Sequence, residues 1–183
     1  MIETYVNSIE ETVIILRQTI ARLAELDIVD VINADSIRGA ELTRPINGVL
    51  TPYSAKDDVI VFELNEYPGV DLSMQRDDES MLDISSHQLR LVVYGDNSRT
   101  VSRKLKSRML SQRTLNELST KGISIMNISN IESSTEIINT VRYLRRDFQI
   151  IFVVSMKVDA IDKYDALETA SINISNTRIA HLG

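Results

Sequence analysis

In residues 2 to 26, apolar side chains fall at Ile2, Val6, Ile9, Val13, Leu16, Ile20 and Leu23, three or four apart, the spacing that lines one face of an α-helix. Glu3, Glu10, Arg17 and Glu25 take the other face. An amphipathic helix of several turns is predicted over about 2–26. Late in the chain the period changes. In YLRRDFQIIFVVSMKVDAI, Leu144, Phe148, Ile150, Phe152, Val154, Met156 and Val158 share one parity, and Arg145, Asp147, Gln149, Ser155 and Lys157 the other. Alternation with period two predicts a long antiparallel strand, one row on a core and the other towards solvent or a partner. Beyond a turn at DAIDKYD, Ala166, Ala170, Ile172 and Ile174 share a face. That pattern predicts a hairpin return, giving a C-terminal β-hairpin over about 141–176.

Between these ends the punctuation decides. Pro45, Pro52 and Pro68, with Gly48 and Gly69, confine residues 45–68 to turns and edge strands. Within them DVIVFELNEY is β-branched and aromatic and reads as a strand, DLSMQRDDES at 71–80 as an exposed loop, and Met81 to Tyr94 as a second strand. Val101, Leu105 and Met109 then stand at i, i+4 and i+8. A break near Ser111, followed by Leu115 and Leu118, divides a helical segment over 98–121. Gly122 is placed to stop it. A turn-rich strand region at 27–95 lies between the helices. The order helix, strands, helix pair, strands predicts a single α+β domain over 1–183, a mainly antiparallel sheet with helices on one face.

Charge and composition narrow the chemistry. Twenty basic against 26 acidic residues give a net charge of −6, so any contact with a polyanion must come from a local basic patch. There is no cysteine and there are two histidines, His87 and His181. The acidic N-terminus is unlike a signal peptide and no apolar run approaches a membrane span, so a soluble, unexported protein is expected. Ser86 and His87 are neighbours on a strand and point to opposite faces, which denies them a nucleophile–base pairing. RDDES at 76–80 lacks the spacing of a calcium loop. No catalytic, cofactor-binding or metal-binding residue set emerges, and an enzyme is not expected.

The candidate surface comes from LRLVVYGDNSRTVSRKLKSRML. Gly95 alone does not make a phosphate cradle, and Asp96, Asn97 and Ser98 read as turn and N-cap residues. The helix that follows carries Arg99, Arg103, Lys104, Lys106, Arg108 and Arg113. At 100° per residue Arg99, Arg103, Lys106 and Arg113 share one broad face, with Lys104 and Arg108 flanking the apolar stripe. Such a ridge is a solvated face, a contact for an acidic patch on a neighbouring subunit, or a nucleic-acid surface. No aromatic residue interleaves with the basic ones, which disfavours single-strand stacking. In VRYLRRDF, Arg142 and Arg146 fall on the apolar side of the long strand and Arg145 on the polar side. Guanidinium groups at the start of a core-facing row sit at a sheet margin, paired to a carboxylate or to a partner chain.

Taken in order, the N-terminal amphipathic helix, the proline-containing strands, a strand ending in Tyr94–Gly95 and entering a helix, a stop at Gly122, and VRYLRRDFQIIFVV with Arg142, Arg145 and Asp147 resemble the tail terminator (neck terminator) proteins of tailed bacteriophages. The likeness covers most of the chain and is greatest over 88–158; the linker at 27–58 departs from it. The resemblance implies an α+β subunit of a hexameric ring that caps the tail tube, ends its elongation and forms the head-tail joining surface. It implies a homo-oligomer whose partners are the tail tube protein and head connector proteins, with duplex DNA passing through without specific binding. No membrane or cofactor is involved, and the location is the virion neck after assembly in the host cytoplasm. Arg99, Arg103, Lys106, Arg113, Arg142 and Arg145 are the candidate interface residues. The alternatives are another head-completion, connector or baseplate component, or a nucleic-acid-binding module using the 99–113 helix.

Overall fold

A computed structural model describes residues 5–34, 42–46, 48–75, 80–138 and 140–159. The elements run α1 (Ile9–Ala24), a single 3-10 turn (Ile28–Asp30), β1 (Val31–Asn33), β2 (Thr43–Ile46), β3 (Val49–Pro52), β4 (Val59–Gln75), β5 (Ser80–Tyr94), α2 (Ser98–Met109), α3 (Gln112–Ser119), β6 (Ile123–Ile128), β7 (Glu132–Ile138) and β8 (Val141–Asp159). The main sheet has the order β1-β4-β5-β8-β6, with β7 also on β8, and β2 and β3 form a separate ribbon. Every pairing between these strands is antiparallel except β1 with β4. This is an α+β fold.

The helix begins later than its apolar stripe. Ser8 accepts a hydrogen bond from the Glu11 N–H and caps α1 at its first turn. Val6, which the stripe places in the helix, is extended instead: its N–H donates to Ser155 O at 2.9 Å and its carbonyl accepts from Lys157 N–H at 3.1 Å. Spacing alone cannot tell a buried residue before a cap from one after it.

All three helices among the described residues pack on one face. Leu16, Ile20 and Leu23 of α1, Val101, Leu105 and Met109 of α2 and Leu118 of α3 enclose Phe62, Leu89, Leu91, Phe148, Ile150 and Phe152. The break between α2 and α3 falls at Leu110 and Ser111, where the Ser111 side chain caps α3.

The other face differs from the expectation of a solvated row. Leu42, Tyr53, Val59, Val61, Val92, Tyr94 and Tyr143 form a second, smaller core there. Part of the turn-rich region folds over the sheet as a flap. The Tyr53 hydroxyl donates to Val29 O at 3.1 Å, and the Tyr143 hydroxyl donates to Tyr53 O at 2.8 Å. Alternation along β8 is therefore not uniform. Leu144, expected on the core row, is 42% exposed, whereas Tyr143 is 4% exposed. The start of β8 extends past the helices, so its core-side row is covered only from Phe148 onward.

Residues 71–75 and Ser80 also depart from the loop reading. β4 continues to Gln75 and pairs with β5 from Asp71↔Ser85 to Gln75↔Met81, after an irregularity between Glu66 and Asp71. Ser86 stabilises that irregularity by accepting from the Val70 N–H at 2.8 Å. The polar sequence correctly signals exposure at 71–73, but β5 supplies backbone partners to 71–75, and β8 to Ser80, that a propensity reading does not contain. The hairpin return expected up to 176 lies outside the described residues.

Candidate assembly surface

Glycine and an acid from a distant turn create the start of α2. Asn97 is the N-cap, yet no cap side chain bonds the helix, contrary to the reading of Asp96–Ser98 as the capping group. Asp58 does the fastening: Oδ1 accepts from the Asn97 N–H and Oδ2 from Asn97 Nδ2, both at 3.0 Å. Ser98 is buried. Of the side chains expected to cap, Ser98 packs inside and Asn97 bridges to Asp58 just before β4, while Asp96 is exposed.

The basic ridge divides once helix faces become contacts. Lys104 and Arg108 both pair with Glu25 at the end of α1, Arg108 at 2.7 Å, and Arg108 also donates to Leu23 O at 2.8 Å. Those hydrogen bonds, from Lys104 first and then Arg108, lower the Glu25 carboxyl below the usual range. Lys106 donates to Ser129 O at 2.7 Å and holds the β6–β7 connection. The helix break removes Arg113 from the ridge; it lies exposed beside Arg22, Arg108 and Thr114.

Arg99 and Arg103 remain exposed. Together with Ser102, Ile131, Ser133 and Arg146 they line a cleft of about 360 Å³. The register Ser133↔Arg146 sets the cleft floor, and Ile137↔Arg142 lies beyond it. Among the described residues no carboxylate comes within ion-pair distance of Arg99, Arg103, Arg142 or Arg146. Leu144 and Ile137, 42% and 72% exposed, share this uncovered end. It combines guanidinium groups with aliphatic surface and, among the described residues, these guanidinium groups have no carboxylate partner.

Arg145 belongs to the opposite face. Its guanidinium donates to both Asp147 oxygens at 2.7 and 2.9 Å and to Glu136 at 2.6 Å, while the Tyr94 hydroxyl donates to Glu136 at 2.8 Å. Desolvation raises the Glu136 carboxyl, but the hydrogen bonds from Tyr94 and Arg145 outweigh it and its pKa is lowered. Burial, and then the bond to Glu136, raises the Tyr94 phenol. This four-residue network fixes the β5–β8–β7 junction, so the structure does not bring Arg145 together with Arg99 and Arg103.

One pairing is missing from the sequence reading. Ser85, not Ser86, shares a face with His87, and its Oγ lies 2.9 Å from His87 Nε2. His87 stacks on Phe152 with ring centroids 5.9 Å apart, and burial lowers its pKa against the opposing field of Glu66. Period two was enough to find Ser85. Among the described residues no carboxylate hydrogen-bonds the other ring nitrogen, so the pair lacks the orienting acid of a catalytic triad.

The phage neck terminator protein family model matches residues 16–178. The chain belongs to the phage neck terminator protein family. A neck terminator protein is a structural component of the phage neck. The match includes the region 27–58, where the resemblance read from the sequence was weakest. No curated protein matches this chain. Among the described residues of this neck terminator protein, no helix is long and apolar enough to cross a membrane.

Proposed function

We propose that the chain is the subunit of a homo-oligomeric ring, of hexameric order, that caps the tail tube, ends its elongation and presents the joining surface for head connector proteins. Family membership supports the neck location. The observation that carries the reading is the uncovered sheet end, where Arg99, Arg103, Arg142 and Arg146 stand without ion pairs among the described residues beside exposed Leu144 and Ile137. Other cations close to it are consumed within the subunit. A ring needs heterologous surfaces, one side of a subunit meeting a different side of the next. Duplex DNA passes through such a ring without specific binding, consistent with a net charge of −6.

Tail assembly without this chain tests the role. Tubes of unregulated length that fail to join heads, restored to uniform length by adding the protein, are the expected result. Tubes of normal length that join heads in its absence would overturn it.

A further inference from the structure

The helix-bearing face of the sheet has a second cleft at the other end of β8. It is the larger, about 720 Å³, and Glu66, Asp71 and Asp83 contribute its carboxylates, with Tyr67 and Met156 among the other lining residues. Glu66 and Asp71 are exposed and have no ion pair among the described residues; Asp83 accepts from Ser73 Oγ at 2.6 Å. Arg146 and Met156 mark the two clefts on one strand. Ten residues of β8 separate them, about 34 Å at an antiparallel rise of roughly 3.4 Å per residue. Opposite charge thus occupies opposite ends of the same face.

We propose that the arginine cleft of Arg99, Arg103 and Arg146 receives the Glu66–Asp71 segment of β4 from a second copy of this chain. The inference rests on the ring reading and names the contact that closes it. A head-to-tail contact requires two different patches on each subunit, and these two are complementary in charge and lie far enough apart not to neutralise each other within one molecule. Guanidinium groups suit carboxylates because their planar N–H donors match the two oxygens. Leu144 and Ile137 flank one cleft, and Tyr67 and Met156 line the other, so apolar area can be buried around the ion pairs.

The test is charge exchange. R99E/R146E and E66K/D71K are prepared in the full chain, alongside the milder R99Q/R146Q, and circular dichroism checks their folding. Assembly is measured by mass photometry and light scattering, free and on tail tubes. Each reversal alone is expected to raise the half-assembly concentration about 100-fold or more, because like charges face each other. A one-to-one mixture of the two reversals is expected to assemble again. In an alternating ring every junction then joins opposite charges, a recovery that general damage to either variant would not give. Wild type that assembles while R99E/R146E and R99Q/R146Q assemble equally well would overturn this contact and leave the ring reading standing. Wild type that stays monomeric both free and on tubes would overturn both. Binding of wild type to duplex DNA that R99E/R146E abolishes, without a change in assembly, would make the cleft a phosphate site and sink the carboxylate assignment.

Discussion

Gly95 sits where β5 turns into α2, with φ of +112°. A Cβ placed there would lie 2.5 Å from Asp58 Oδ1 and 2.6 Å from Asp57 O, so an alanine meets both backbone strain and the carboxylate that fastens Asn97. Gly95→Ala is expected to destabilise the protein by about 2 kcal/mol or more, read as a lower urea midpoint. An unchanged midpoint would show that the turn has another conformation. Arg145 makes a comparable claim. Replacing it with methionine leaves Glu136 partly buried without its ion-pair partner and Asp147 with Arg90 alone at 3.9 Å, and a loss of about 2 kcal/mol is expected. His87 adds a pH dependence. Burial depresses its native pKa below the unfolded value of about 6.5, so the unfolded chain takes up the proton first. Its contribution is intact above pH ~6.5 and is lost as pH falls through the window down to the native value. H87Q should flatten that part of a stability–pH profile relative to wild type. A profile identical in both would contradict the burial of a neutral imidazole.

At the scale of elements, periodicity revealed what a single partner surface determines and missed what two surfaces share. The stripe of α1, the break at Ser111 and the long β8 were legible because one apolar face packs against one layer. Tyr143 was not, because it is buried against a flap whose residues, Leu42 and Tyr53, lie 90 or more positions earlier in the chain. The strand character of 71–75 was hidden for a related reason, since polar residues pair well when β5 provides the ladder. The candidate surface was half legible. Helical spacing placed Arg99 and Arg103 on one face, but nothing local showed that Glu25 and Ser129 would take Lys104, Arg108 and Lys106. The position of Arg146 beside α2 depends on the β7–β8 register. The flap yields a test at this scale. Y143F removes the bond to Tyr53 O and should cost about 1 kcal/mol, with faster hydrogen exchange in residues 42–57 and little change in α2. Uniform acceleration across the fold would mean that the flap is not a separately stabilised layer.

For the whole molecule, an acidic protein carries arginines without ion pairs among the described residues at one end of a long sheet, and the exposed Glu66 and Asp71 near the other. Such a distribution suits directional association better than a grip on DNA, whose backbone would meet a net negative body. Any assembly through these ends should weaken as salt is added, because exposed charges are screened within about 8 Å at physiological ionic strength. The membership in the neck terminator protein family and the open arginine-bearing end meet in one claim, that this subunit forms a ring on the end of a tail tube. Negative-stain imaging of the purified protein at high concentration, alone and mixed with tail tubes, tests it most directly. Rings with a central passage, or density capping tube ends, are the predicted result; isolated monomers that leave every tube end bare would contradict it.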